Sequence, residues 1–191
     1  MGRTVEGNVW HFRHELDEDL KIRLDEICRT EPPLASGQNK PQIAVAIREV
    51  LCSDKEDRGP AYWLRESYRA AENAVTVDAS NAHSLVTHYP YTARCVQSGE
   101  VRPVAAVLVN GVAVSVCSCS RWADDVAEAG LHTVDQFRGH GYGVVATGHW
   151  IDLVGQIGRL LFYSTSWTNV ASQRVARKFE ATFYGEDWSI T

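Results

Sequence analysis

No apolar run in this chain approaches the roughly 18 residues that a bilayer-spanning helix needs. The opening stretch Met1-Gly2-Arg3-Thr4-Val5-Glu6 has no apolar core of the kind a secretory leader carries. The expectation is a cytoplasmic protein with no membrane partner. Cysteine is sparse and odd in number: Cys28, Cys52, Cys95, Cys117 and Cys119 are five, which argues against a framework of paired disulfides. Cys117 and Cys119 stand two apart in a strand-like run, so both face one side. No second Cys or His pair at ligand spacing accompanies them, and no metal is expected. Like charges never cluster in a block. With a net charge of -5 and no basic stripe, nucleic acid is not expected as the main partner, whereas a cationic amine suits a mildly acidic surface. Internal repeats and dividing linkers are also missing, so the 191 residues read as one domain.

What is present is ordinary for a folded protein: 45% hydrophobic and 23% charged residues supply a core and a solvated surface, which rules out disorder, collagen and coiled coil. Asn8 to Arg13 mixes Val9, Trp10 and Phe12 with polar residues and reads as a short strand. Glu15 to Arg29 carries Leu16, Leu20, Leu24 and Ile27 at mostly helical spacing, with acids early and Arg29 late. Glu31-Pro32-Pro33 stops that helix, and Leu34 to Lys40 is a loop. Pro41 opens a second helix with Ile43, Ala46, Ile47 and Val50 on one stripe. Asp54 to Pro60 reads as a polar break before a strand, Ala61 to Leu64. A short helix is expected over Ala82 to His88, ending before Pro90.

From Pro103 onward the pattern sharpens. Two β-branched runs, Pro103 to Val109 and Val112 to Ser120, flank Asn110-Gly111, the pair that supplies positive φ at both positions of a type I′ hairpin turn. Arg121 to Asp125 reads as a polar break. A third strand, Ala127 to Val134, leads into Asp135-Gln136-Phe137-Arg138-Gly139-His140-Gly141-Tyr142-Gly143. After this stretch comes an apolar helix to about Ile157. A strand, Leu160 to Ser166, then a helix capped by Asn169 and running to Lys178, and one or two terminal strands complete the chain. Between strand and helix, glycines let successive backbone N–H groups converge on one point, and the first helical turn adds unpaired donors. Such a cradle suits a phosphate or pyrophosphate. It is neither a P-loop, which needs Gly, four residues and Gly-Lys-Ser/Thr, nor the Gly-x-Gly-x-x-Gly dinucleotide loop.

Read as Arg-x-x-Gly-x-Gly, from Arg138 through Gly141 to Gly143, the stretch resembles the coenzyme A pyrophosphate loop of the GNAT superfamily of N-acyltransferases. The order of elements from Pro103 to Trp188 resembles that fold independently of the loop. The resemblance implies an α/β fold with a mixed, mostly antiparallel sheet flanked by helices. In that fold the strand before the loop splays from the strand after the loop helix, and acetyl-coenzyme A enters the gap. Residues 103–191 would be the coenzyme-binding core, and 1–102 a variable helical part on the acceptor side. The implied activity is direct transfer of an acetyl group to a primary amine of a small molecule or peptide, by a monomer or homodimer. A coenzyme-binding regulator of the same fold is the alternative.

Site residues follow from the same resemblance. Backbone groups of Leu131, Thr133 and Val134 would pair with pantetheine, the Val134 N–H polarising the thioester carbonyl. N–H groups of Arg138, Gly139, Gly141, Tyr142 and Gly143, with His140 among them, would take the pyrophosphate. Asn169 and Ser172 would face the coenzyme from the next helix. Where the family often places a tyrosine acid, later in that helix, this chain has Ala176. Tyr163, Ser166 and Tyr184 are the substitutes for it. Glu128, His132 and Asp125 are candidates for the base; strand alternation puts Glu128 and His132 on one face.

Overall fold

Residues 1–35, 39–65, 73–99 and 102–191 are described by the computed structural model. In chain order the elements are β1 (Gly2–Thr4), β2 (Gly7–Val9), α1 (Glu18–Cys28), α2 (Ala44–Leu51), β3 (Glu56–Leu64), β4 (Val75–Thr76), a 3-10 turn at Ala82–Leu85, α3 (Pro90–Gln97), β5 (Ala105–Val109), β6 (Val112–Trp122), β7 (Val126–Thr133), a 3-10 turn at Asp135–Phe137, α4 (Tyr142–Gly155), β8 (Leu160–Ser164), α5 (Val170–Lys178) and β9 (Thr182–Ile190). The fold is mixed α/β, with mostly antiparallel strand pairing and flanking helices. The chain divides into two units, one of Met1–Ala61, Ser164–Val170 and Phe183–Thr191, the other of Tyr62–Tyr163 and Ala171–Thr182.

In the first unit β1 pairs antiparallel with both β2 and β9, with Arg3 opposite Asn8 on one side and Glu186 on the other. Gly185 permits the close approach of β1: a Cβ there would lie 2.4 Å from the Arg3 carbonyl oxygen. α1 starts at Glu18 because the Asp17 carboxylate accepts the Asp19 N–H at 2.9 Å and caps it. Leu24, Cys28, Ile43, Ala44, Ile47 and Trp188 form the core of this unit. Beneath β1 lies a buried ionic cluster. The Arg3 guanidinium meets Glu31 at 2.7 Å and Glu186 at 2.8 Å, and all three side chains are almost wholly excluded from solvent. Glu186 also accepts the Trp167 indole N–H at 2.6 Å and meets Arg58 at 3.4 Å. This cluster explains why β3 begins at Glu56, inside the segment read from sequence as a polar break. Two charged residues of that segment have protein partners: Arg58 faces Glu186, while Glu56 accepts the Trp188 indole N–H and pairs with Arg48.

In the second unit β5 and β6 sort side chains between two cores, with a register shift between Val107 and Leu108 that changes the parity of alternation along β6. Ala105, Val107, Val114 and Cys117 pack with Trp150, Ile151 and Val154 of α4, whereas Ala106, Ala113 and Val116 pack with Leu85, Tyr89 and Ala93 on the other side. The hairpin turn falls where expected, with φ of 51° at Asn110 and 77° at Gly111. β6 runs on through Arg121 and Trp122, past a register shift between Cys119 and Arg121. The expected break is therefore shorter. There Arg159 lies over the Trp122 ring at 3.9 Å. Pro90 opens α3 at the first helical position instead of only ending the turn before it. Part of the loop read over Leu34 to Lys40 lies outside the described residues.

Candidate functional site

The site is built on the end of β7. Antiparallel pairing with β6 covers β7 along its length, from Trp122↔Ala127 to Ser115↔Thr133. Parallel pairing with β8 covers only its first half and stops at Ala129↔Tyr163. Among the described residues, Gly130 to Thr133 therefore have a neighbour strand on one side alone.

Which backbone groups face the open side is fixed by a single bond. The Val134 N–H donates to the Val114 carbonyl at 2.9 Å, back towards β6. This corrects the expectation that Val134 polarises a substrate carbonyl, since its donor is already used. By alternation, the backbone groups of Thr133 and Leu131 face away from β6. The Thr133 carbonyl fits this direction, accepting the Arg138 guanidinium at 3.3 Å.

Arg138 does more than carry charge. Its guanidinium joins the Thr133 carbonyl to the Asp135 carboxylate, the latter at 2.8 Å, and so ties the loop to the strand that feeds it. Its main-chain N–H closes the 3-10 turn onto the Asp135 carbonyl at 3.1 Å. That N–H is thus unavailable to an anion, a second correction to the expected donor set. Beyond it, Gly139 and Gly141 both take φ of 81°, where a side chain is strained, and the place of a Cβ at either has no heavy atom within 4 Å. The space over the loop is open. Gly143 has a different role: a Cβ there would lie 3.2 Å from Leu131 Cδ2 and 3.5 Å from Thr133 Oγ1, so its lack of a side chain lets α4 start against β7. The Val144 and Val145 N–H groups donate to the Gly141 carbonyl at 3.0 and 3.2 Å, which leaves those of Tyr142 and Gly143 as the first-turn donors of α4 with no acceptor in the helix. His140 is held by its Nδ1, 3.0 Å from the Arg138 carbonyl and 3.2 Å from that of Phe137, and its ring stacks on Tyr142 at 5.6 Å.

The two base candidates share a face of β7, because the intervening Ala127, Ala129 and Leu131 pack against the α4 side. Glu128 is buried and pairs with Arg121 at 2.9 Å. His132 is exposed. Its ring meets Tyr89 edge-on at 5.6 Å, with Nδ1 3.4 Å from the Tyr89 hydroxyl. That hydroxyl also donates to the main-chain carbonyls of Val114 and His132, each at 3.1 Å, and sequence reasoning did not single it out. Burial pushes the Tyr89 phenol up to about 12.

Tyr163 ends the paired part of β8, with its hydroxyl 2.7 Å from Ser172 Oγ on α5. Burial pushes this phenol up to about 12 as well, the Ser172 hydrogen bond opposing the shift. Ala176, one turn along α5, is 1% exposed and belongs to the core. Asn169 stands immediately before α5 and, with Ser166 and Tyr184, belongs to the other unit. Asp125 is exposed, and its carbonyl accepts the Leu160 N–H at 2.9 Å. Among the described residues no group of His, Cys, Asp and Glu is placed to hold a metal. No described helix is long and apolar enough to cross a membrane.

A strand ending half-paired, a glycine turn and a helix packed tightly on that strand define the class of α/β fold, and comparison with solved structures agrees. The chain carries the GNAT fold. It superposes on a GCN5-related N-acetyltransferase-like protein from Streptococcus suis with a TM-score of 0.58 and 14% identity, over 89% of this chain and 76% of that one. A GNAT-family structure from Novosphingobium aromaticivorans gives 0.57 at 14% identity, over 72% of this chain and 65% of that one. A GNAT acetyltransferase from Colwellia psychrerythraea gives 0.54 at 11%, over 78% and 62%. The chain thus spans slightly less than two thirds of the length of the last two. No protein-family model and no curated protein matches the sequence.

Proposed function

We propose that the protein is an N-acetyltransferase that takes acetyl-coenzyme A as co-substrate and passes its acetyl group directly to a primary amine of a small molecule or peptide. The observation that carries this reading is the open edge of β7 beyond Ala129, continuous with a loop whose two positive-φ glycines leave clear space above it. Residues 103–191 form the coenzyme-binding part of the reading, and 1–102 the acceptor side. Donors for the pyrophosphate are the N–H groups of Gly139, Gly141, Tyr142 and Gly143, and Arg138 holds their loop in shape. Backbone groups of Leu131 and Thr133 bind the pantetheine arm. The Thr133 N–H replaces that of Val134 as the group that polarises the carbonyl.

Transfer forms a C–N bond as the C–S bond breaks. The amine must first lose a proton, and the leaving thiolate must gain one. Glu128, acting through water, is the base, with His132 on the same face as the substitute. Tyr163 is the acid: its raised phenol stays protonated at neutral pH and so can donate. Ser172 completes the coenzyme side through its contact with the Tyr163 hydroxyl.

A second reading, a coenzyme-binding regulator without turnover, is favoured by one observation: the family's usual acid position is a buried methyl group, Ala176. Two measurements separate the readings. Coenzyme A, but not ATP or NAD, should raise the melting temperature of the wild type, and Gly141→Val should abolish the rise in a variant that still folds. Glu128→Gln should then lower turnover against a panel of amines by about 10²-fold, with coenzyme affinity unchanged and the deficit shrinking at high pH. Coenzyme binding with no turnover on any amine selects the regulator. A Glu128→Gln enzyme with an unaltered pH–rate profile moves the base to His132.

A further inference from the structure

The first unit contains a cavity to whose residues the acetyltransferase reading gives no part in the transfer. It measures about 430 Å³ and is formed entirely by residues of that unit. That volume suits a small-molecule ligand, whose pockets are typically about 300–1,000 Å³. We propose that it binds an amphipathic carboxylate, with the apolar body inside and the anionic end beside Arg13.

Three observations lead there. The wall is aromatic and aliphatic, supplied chiefly by Trp10, Phe12, Leu16, Leu51, Trp188 and Ile190. Its polar handles are turned to other partners: the Trp10 indole N–H donates to Asp25 at 2.9 Å and that of Trp188 to Glu56 at 3.0 Å, so the tryptophans offer ring faces and no donor. Burial raises the Cys28 thiol to about 11, which keeps that part of the wall neutral. The second observation is the charge of the lining. In a chain of net charge -5, no Asp or Glu side chain lines the cavity, while Arg13 does and forms no ion pair among the described residues. Of the terminal groups, the Met1 ammonium, which donates to the Trp188 carbonyl at 2.6 Å, and the Thr191 carboxylate also lie in the lining, which leaves a positive excess. The third is the sequence Trp10-His11-Phe12-Arg13, where two aromatic and two basic residues interleave and all four line the cavity. An apolar pocket whose lining carries more positive than negative charge favours an anion joined to a hydrocarbon. A neutral lipid leaves Arg13 unused, and an alkylamine is repelled.

The test titrates the full chain with decanoate, decanol and decylamine, following tryptophan fluorescence and melting temperature. Decanoate should perturb both and bind about tenfold or more tightly than decylamine, about 1.4 kcal/mol in binding free energy. Arg13→Glu, an exposed change that leaves the core intact, should erase or invert that preference without altering the thermal shift caused by coenzyme A. Leu51→Trp should fill the cavity and abolish decanoate binding; should that variant misfold, Arg13→Glu still decides. The proposal fails if decanoate causes no change below its micellar concentration, if carboxylate and amine bind the wild type equally, or if Arg13→Glu retains the preference. It also fails if sedimentation shows a wild-type dimer that Leu51→Trp dissociates, since the cavity is then filled by a second copy. Because coenzyme A is measured in the same variants, failure here is distinguishable from failure of the acetyltransferase reading.

Discussion

Ala176 is the residue at which sequence and structure pull hardest against each other. Its alignment with the family's tyrosine suggests restoring the phenol, yet its methyl group is 1% exposed inside the core that also holds Tyr163 and Phe179. A ring has no room there. Ala176→Tyr should therefore destabilise the fold by about 1–3 kcal/mol through overpacking, read as a lower midpoint in urea, and should not raise turnover. Tyr163, one strand away, already presents a hydroxyl towards α5 through Ser172. Tyr163→Phe should fold, with a modest loss of stability of about 1 kcal/mol for the lost hydrogen bond. If the phenol is the acid, kcat should fall while coenzyme affinity stays unchanged. An unchanged kcat removes Tyr163 from the mechanism.

At the scale of elements, the sequence was legible wherever one local rule sufficed. Asn110-Gly111 announced the hairpin, and the apolar arc around Val144, Trp150 and Ile151 announced a buried helix. It was less legible where a strand depends on distant partners. β1 is three residues long and carries Arg3, which no strand propensity favours; it exists because β9 brings Glu186 to it. β3 starts among charges for the same reason. Within the site, the positions of the glycines were readable, but the direction of each N–H was not. The commitments of Val134 and Arg138 arise from pairing with Val114 and from the 3-10 turn at Asp135. A test of the β1–β9 contact follows from Gly185. Its Cβ would meet main chain, which cannot swing aside, so Gly185→Ala should cost about 3 kcal/mol or more. Gly143→Ala meets the flexible end of Leu131 and should cost less. Equal urea midpoints for the two variants would contradict this ranking.

For the whole molecule, the groups whose titration is most displaced set the alkaline limit. The wholly buried Cys117 thiol is pushed up furthest by burial, Tyr89 and Tyr163 are each raised from an ordinary phenol value of 10 to about 12, and Cys28 from 9 to about 11. In the unfolded chain these groups lose their protons first, so between about pH 9 and pH 12 the folded state binds more protons than the unfolded one. Stability must then fall as pH rises. Their contribution is fully present below pH 9. Thermal melts should show a steady drop in midpoint across that window, and Tyr89→Phe should flatten part of it. A midpoint constant from pH 9 to 11 would refute the assignment. At the acid end Glu56 works in the opposite sense. Burial opposes its ionisation, but the Trp188 and Arg48 hydrogen bonds prevail and lower its pKa, so its contribution is lost as pH falls through that lowered value.

The Arg3 cluster also bears on the order of assembly. On the ribosome Arg3 can meet Glu31 early, but Glu186 lies 183 residues beyond Arg3 and leaves the tunnel much later. Until then the guanidinium has one carboxylate where the folded state gives it two, and β1 has no β9 to pair with. The first unit can close only once β9 and its Glu186 have emerged. A nascent chain released short of Glu186 would therefore present an open strand edge, which is how unfinished sheets come to aggregate.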